Sequence, residues 1–237
     1  MKLREYILSN QNIYLAIYAV KSYVFDSCLL AKSDKELLNS LSDPFDEELI
    51  NNVIKDVKNI IENILNNETY LFKTQVYYKP KDYDKSTGEC IYRPIHMASL
   101  RELIAMVSLM YPLIYEIPTE KDNWKLSLSN YSRLIPNNFY GNRVSEQPEE
   151  LFKKWNKQYK EYTKKANEYF KTFHESKEYK YEIKLDLKNF FPSVDPKVVY
   201  GILIENLPVT LGDAEDIFIL KLLVNLNYLF RSSYMSV

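Results

Sequence analysis

Glycine is scarce in this chain, with four in 237 residues. A phosphate-cradling loop or a dinucleotide fingerprint needs glycines clustered where the backbone must approach a phosphate, so both are excluded. Cysteine is scarce too. Cys28 and Cys90 stand far apart and in no C-x-x-C spacing, which fits free thiols in a reducing compartment better than a disulfide scaffold. Two histidines, His96 and His174, cannot build an ordinary zinc site with two unclustered cysteines. No sign of charge dominates: 31 Lys and Arg against 32 Asp and Glu leave a net charge of -1, so any basic surface must be local. Long apolar runs are missing. The longest, Ile104 to Tyr115, is too short to span a bilayer and contains Pro112. The start, MKLREYILSN, has no signal-peptide core. The expectation is a cytoplasmic protein without a membrane partner.

What is present is an ordinary globular composition, 46% hydrophobic and 27% charged, with 21 tyrosines. Residues 1–70 read as helices. Leu49, Ile50, Val53, Ile54, Val57, Ile60, Ile61, Ile64 and Leu65 recur at helical spacing. Asp46, Glu47 and Glu48 precede them, where acids suit the positive end of the helix dipole. Residues 71–148 change character. Two β-rich runs, Thr74 to Tyr78 and Cys90 to Ile95, flank a polar stretch ending in Gly88, which predicts a hairpin with a mobile basic tip. Ser99 and Glu102 stand in capping-box spacing and predict a helix from Leu100.

Residues 149–178 predict a basic helix. Nine lysines face four glutamates from Leu151 to Lys180, with Trp155, Tyr159, Tyr162, Tyr169, Phe170 and Phe173 interleaved. Lys153, Lys157, Lys160 and Lys164 would then track a phosphate backbone. The plainer reading is a solvated helix whose aromatics pack on the protein body.

Residues 179–237 open with YEIKLDLKNFFPSVD. Tyr181, Ile183, Leu185 and Leu187 alternate with Glu182, Lys184 and Asp186, the period of a half-buried strand. Asp186 falls on the polar face, at the end of the strand and before a turn. Such a carboxylate suits Mg²⁺, which takes oxygen ligands and substrate phosphates, and turn N–H groups at Asn189 and Phe190 suit a triphosphate. A carboxylate on a solvent face is equally ordinary polar surface. Asp195, ahead of Pro196 and an apolar helical pattern, reads as a helix cap.

The stretch DLKNFFPSVD resembles motif A of reverse transcriptases. The resemblance implies that Asp186 is the first metal-binding aspartate, with the Leu187 carbonyl as second ligand. It makes Phe191 the ring that excludes a ribose 2′-hydroxyl. Upstream, YRPIHMASLRELIAMVSLMYPLI is similar to the fingers motif led by an arginine, here Arg93. NNFYGNR resembles the family's S-Y-G-x-R element, giving Tyr140, Gly141 and Arg143. The FFPS run and the helical N-terminal region look like the abortive-infection (Abi) polymerases of bacterial phage defence, AbiA-like members in particular. That family implies DNA synthesis from a protein hydroxyl primer without a template. Implied with it are Mg²⁺ or Mn²⁺, deoxynucleoside triphosphates, and single-stranded DNA or RNA, with Arg93 and then Arg101 neutralising phosphate charge.

One departure is plain. Reverse transcriptases place an aromatic-x-Asp-Asp motif after motif A, and these 237 residues contain no Asp-Asp pair and no Gln-Gly motif B. The expectation is therefore an α+β right-hand polymerase, fingers and partial palm preceded by a helical N-terminal region. It would be cut off after motif A and inactive by itself, with homo-oligomerisation left open. A non-catalytic nucleic-acid- or protein-binding module is the alternative.

Overall fold

The computed structural model describes residues 3–24, 30–43, 46–66, 72, 74–114, 117–118, 123–124, 143–150 and 152–176, with residues 181, 183, 185, 195 and 198. Four helices come first: α1 (Leu3–Ile7), α2 (Asn10–Val24), α3 (Lys32–Ser40) and α4 (Glu47–Asn66). In α4 the expected apolar stripe is the buried one, with Val53, Val57, Ile61 and Ile64 fully enclosed. Its start is fixed by Asp46, whose Oδ1 accepts the Leu49 N–H at 3.0 Å.

The hairpin follows as β1 (Thr74–Asp84) and β2 (Glu89–Ala98), paired antiparallel. Both strands run further than the sequence predicts. Proline and aspartate signal strand ends, but in a two-stranded ribbon each strand is an edge, so Pro80 and Pro94 cost no ladder bond in a sheet interior. A register slip between Pro80 and Asp82 lets the pairing continue to Asp84. The tip shrinks to Lys85–Gly88, where Gly88 has φ +74° and donates to the Asp84 carbonyl at 2.9 Å.

Helix α5 (Leu100–Ile114) starts where the capping pair places it. The Ser99 hydroxyl accepts the Glu102 N–H at 3.3 Å and donates to the Glu102 carboxylate at 3.1 Å. Asp34 of α3 supplies a second cap, accepting the Leu100 N–H at 3.1 Å. Ile13, Ile17 and Val20 of α2, the α4 stripe, and Leu100, Ile104 and Leu109 of α5 form one buried cluster. The boundary expected near residue 70 therefore crosses a shared core, because α5 needs α2 and α4 to cover its apolar face.

Tyr111 fastens this core to the next segment. Fully buried, its hydroxyl lies 2.6 Å from the Pro148 carbonyl and 3.0 Å from the Leu15 carbonyl. Two short strands, β3 (Ile117–Pro118) and β4 (Asn123–Trp124), pair antiparallel. A 3₁₀ turn at Pro148–Glu150 leads into α6 (Trp155–Glu175). The architecture is α+β. Among the described residues no helix is long and apolar enough to cross a membrane.

Candidate nucleic-acid interface

Helix α6 is shorter than the basic segment predicts, and the reason is local. Phe152 bridges Val144, and the Lys153 N–H donates to the Arg143 carbonyl at 2.8 Å. Those backbone groups are tied to the preceding chain, so the helix cannot begin before Trp155. Lys153 is thus outside it, 3.4 Å from Glu146.

No residue of α6 is buried. At about 100° per residue, Lys157, Lys160, Lys164 and Lys171 form one stripe, while Trp155, Tyr159, Tyr162, Tyr169 and Phe173 form another. The two are centred roughly 170° apart. Trp155 is 77% exposed and Tyr159 62%, so the aromatics do not pack on the protein body as the plain solvated-helix reading requires. The interleaving seen along the sequence is not interleaving in space. One strand of nucleic acid cannot stack its bases on the aromatics while its phosphates meet the lysines.

Charge along α6 is partly spent. Lys154 pairs with Glu150 at 3.5 Å, Lys165 with Glu168 at 2.8 Å and Lys171 with Glu175 at 3.8 Å. The hydrogen bond from Lys165, reinforced by the Lys164 charge, holds the Glu168 carboxyl below its usual pKa. Lys157 and Lys160 form no ion pair with a described residue. A cleft of about 300 Å³ at the start of the helix is lined by Glu146, Glu150, Lys153, Lys154, Lys157 and Gln158. Its two glutamates neutralise Lys153 and Lys154, which leaves Lys157 as the unmatched cation.

Arg93 stands on β2 opposite Lys79, exposed. Arg101 does not share that surface chemistry. Its Nε donates to Asp56 Oδ2 at 2.8 Å, joining α5 to α4, which leaves its remaining guanidinium N–H groups for a phosphate. Asp186, Leu187, Asn189, Phe190 and Phe191 lie outside the described residues, as do Tyr140 and Gly141. Around them, Tyr181, Ile183 and Leu185 are 85%, 79% and 90% exposed and carry no strand assignment. The alternation predicts this side as the core face. A strand face becomes core only when another layer covers it, and no described residue does so. Val198 is helical and its N–H donates to the Asp195 carbonyl at 3.2 Å. Among the described residues no group of three or more His, Cys, Asp or Glu is placed to hold a metal.

The residue that sequence reasoning missed is Lys81, where the ribbon slips. No family model, curated protein or solved structure matches this chain.

Proposed function

We propose that the chain carries the fingers and the first part of the palm of a reverse-transcriptase-like polymerase of the abortive-infection class, acting in the cytoplasm. Such an enzyme transfers deoxynucleotides to a 3′ or protein hydroxyl. The supporting observation is the lysine stripe of α6, exposed along its length. A polymerase must hold a polyanion whatever its sequence, and phosphate contacts from lysines do that. The stripe stands in chain order between the ribbon bearing Arg93 and the motif around Asp186.

In this reading Asp186 and the Leu187 carbonyl are the oxygen donors for Mg²⁺ or Mn²⁺, which when bound withdraws charge from the transferring phosphoryl group. The N–H groups of Asn189 and Phe190 orient the triphosphate. Phe191 excludes the 2′-hydroxyl, and Arg93 offers phosphate a forked, charge-assisted contact. Arg101, whose Nε holds α5 to α4, offers phosphate its remaining guanidinium N–H groups. A second reading, a non-catalytic nucleic-acid-binding module, is favoured by the absence of any Asp-Asp pair in these residues.

The experiment is incubation of residues 1–237 with labelled deoxynucleotides and Mg²⁺ or Mn²⁺, alone and with protein supplying the aromatic-x-Asp-Asp segment. The chain alone is expected to incorporate nothing, because one carboxylate cannot hold two ions about 4 Å apart. Complemented activity should vanish with Asp186→Asn. Complemented activity that survives this substitution would remove Asp186 from the reaction.

A further inference from the structure

The sequence of α6 repeats every seven residues. Trp155, Tyr159, Tyr162, Ala166, Tyr169 and Phe173 follow one another at spacings of four, three, four, three and four. That is the alternation of the two seam positions of a coiled coil, kept without a break along the helix. Charge obeys the same period. Lys157, Lys164 and Lys171 recur at the position farthest from the seam, and Glu161, Glu168 and Glu175 share another outward position. The positions that flank the seam hold Asn156, Thr163 and Phe170 on one side and Gln158, Lys165 and Thr172 on the other.

The seam is exposed. Tyr162 and Tyr169 are 53% and 68% accessible, like Trp155 and Tyr159 on the same line. We propose that this seam pairs with the same seam of a second copy of the chain, the two helices running antiparallel. Width points to a helix as the occupant. A helix that lies on a protein core presents an apolar arc of about 100° or more, whereas a strict two-in-seven seam is the narrower contact of helix on helix. The flanks point to a copy. In coiled coils those positions choose the partner by charge. Here they carry one charge, Lys165, so they neither repel an identical helix along the seam nor call for a complementary foreign one.

Side-chain size fixes the direction. An antiparallel copy brings Phe173 against Trp155, Tyr169 against Tyr159 and Ala166 against Tyr162, so the one small residue of the seam receives a ring. A parallel copy would set Ala166 on Ala166 and leave a gap. Antiparallel pairing also brings Lys165 beside its copy, each held by Glu168 of its own helix at 2.8 Å. Area is sufficient. At about 200 Å² per ring, these exposures leave roughly 500 Å² of ring surface on each copy. Two copies then bury about 1,000 Å², the least that a specific pair needs, before Phe170 and the flanking stems add theirs. Lys157, Lys164 and Lys171 stay on the outside of such a pair. The pairing therefore leaves the lysine stripe open and does not rest on the polymerase reading.

The test is sedimentation equilibrium of the full chain from about 1 to 100 μM, without nucleic acid or divalent metal. Wild type should follow a monomer–dimer equilibrium. Tyr159→Glu/Tyr162→Glu should weaken the dimer about a hundredfold or more, because each glutamate enters an apolar layer. Asn167→Glu, the same charge placed off the seam, should leave it unchanged. Ala166→Tyr sets ring against ring in two layers and should weaken the dimer, and Tyr162→Ala/Ala166→Tyr, which restores one ring per layer, should recover it. None of these residues is buried, so circular dichroism spectra matching wild type are expected of all four variants. A monomer at every concentration, or an assembly of more than two copies, would overturn the proposal. So would a dimer that Tyr159→Glu/Tyr162→Glu leaves intact. A tighter dimer from Ala166→Tyr would overturn the antiparallel pairing, since filling a gap between two alanines is what a parallel pair gains.

Discussion

Pro112 sits inside α5 and has no N–H to give. Its helical partner would be the carbonyl of Ser108, four residues earlier. That carbonyl instead accepts the Asn12 Nδ2 of α2 at 3.0 Å, and the same amide donates to the Ile7 carbonyl at 3.0 Å. Asn12 is fully buried and its Oδ1 has no hydrogen-bond partner, so the residue is held for its two donors. Asn12→Ala removes two hydrogen bonds and strands two carbonyls away from water. At about 1 kcal/mol per bond plus part of the desolvation cost, the loss should be about 3 kcal/mol. Pro112→Ala restores an N–H within reach of the Ser108 carbonyl. In that background Asn12→Ala strands only the Ile7 carbonyl and should cost about 1 kcal/mol less. Urea denaturation followed by circular dichroism measures all four proteins, and an unchanged m value shows that the comparison is of stability. Additivity within about 0.3 kcal/mol would refute the argument, because it would mean that the proline is not the reason for the asparagine.

Two further outcomes are expected. Lys157→Gln/Lys160→Gln/Lys164→Gln should lower the salt slope of single-strand binding by about 2, because these three form no ion pair with a described residue, whereas Lys153 is already held by Glu146; a slope that stays put would make the stripe a solvated face only. The Asp84 carboxylate accepts the Ser86 hydroxyl at 2.6 Å and the Ser86 and Thr87 N–H groups, which holds its pKa below the ordinary aspartate value. A depressed folded pKa means that the turn is stabilised above the unfolded pKa and loses that stabilisation as pH falls through the folded one. Ser86 and Thr87 amide shifts should therefore titrate with a midpoint below the ordinary aspartate value, and Asp84→Asn should abolish the transition. A midpoint at or above the ordinary aspartate value would show that the turn does not use the charge.

Local signals were readable wherever one short segment determines the outcome. Ser99 and Glu102 fixed the start of α5 because a cap acts within one turn. The α4 stripe read correctly because its period and its burial are the same fact. The ties that assemble the helices were not readable. Asp34 capping Leu100 and Asn12 answering Pro112 join residues 66 and 96 positions from their partners, and nothing local in an aspartate or an asparagine names a carbonyl or N–H that far away. The ribbon was misjudged for a different reason. Proline and aspartate argue against a strand in a sheet interior, and no local pattern announces that, among the described residues, both strands of the ribbon are edges.

The candidate interface shows why composition and phase must be read separately. Counting lysines and aromatics between Leu151 and Lys180 suggests one mixed surface, yet the same residues placed at about 100° intervals fall on opposite sides of α6. On the ribbon the reverse holds. Tyr78, Tyr83 and Tyr92 look out of phase along the chain, and the slip at Lys81 brings them to one side. Cations and rings are separated on the helix, and on the ribbon Lys79 and Arg93 likewise stand on the face opposite the tyrosines. On the lysine side of the helix a single strand meets phosphate contacts without stacking. Binding energy at α6 should therefore fall steeply with salt.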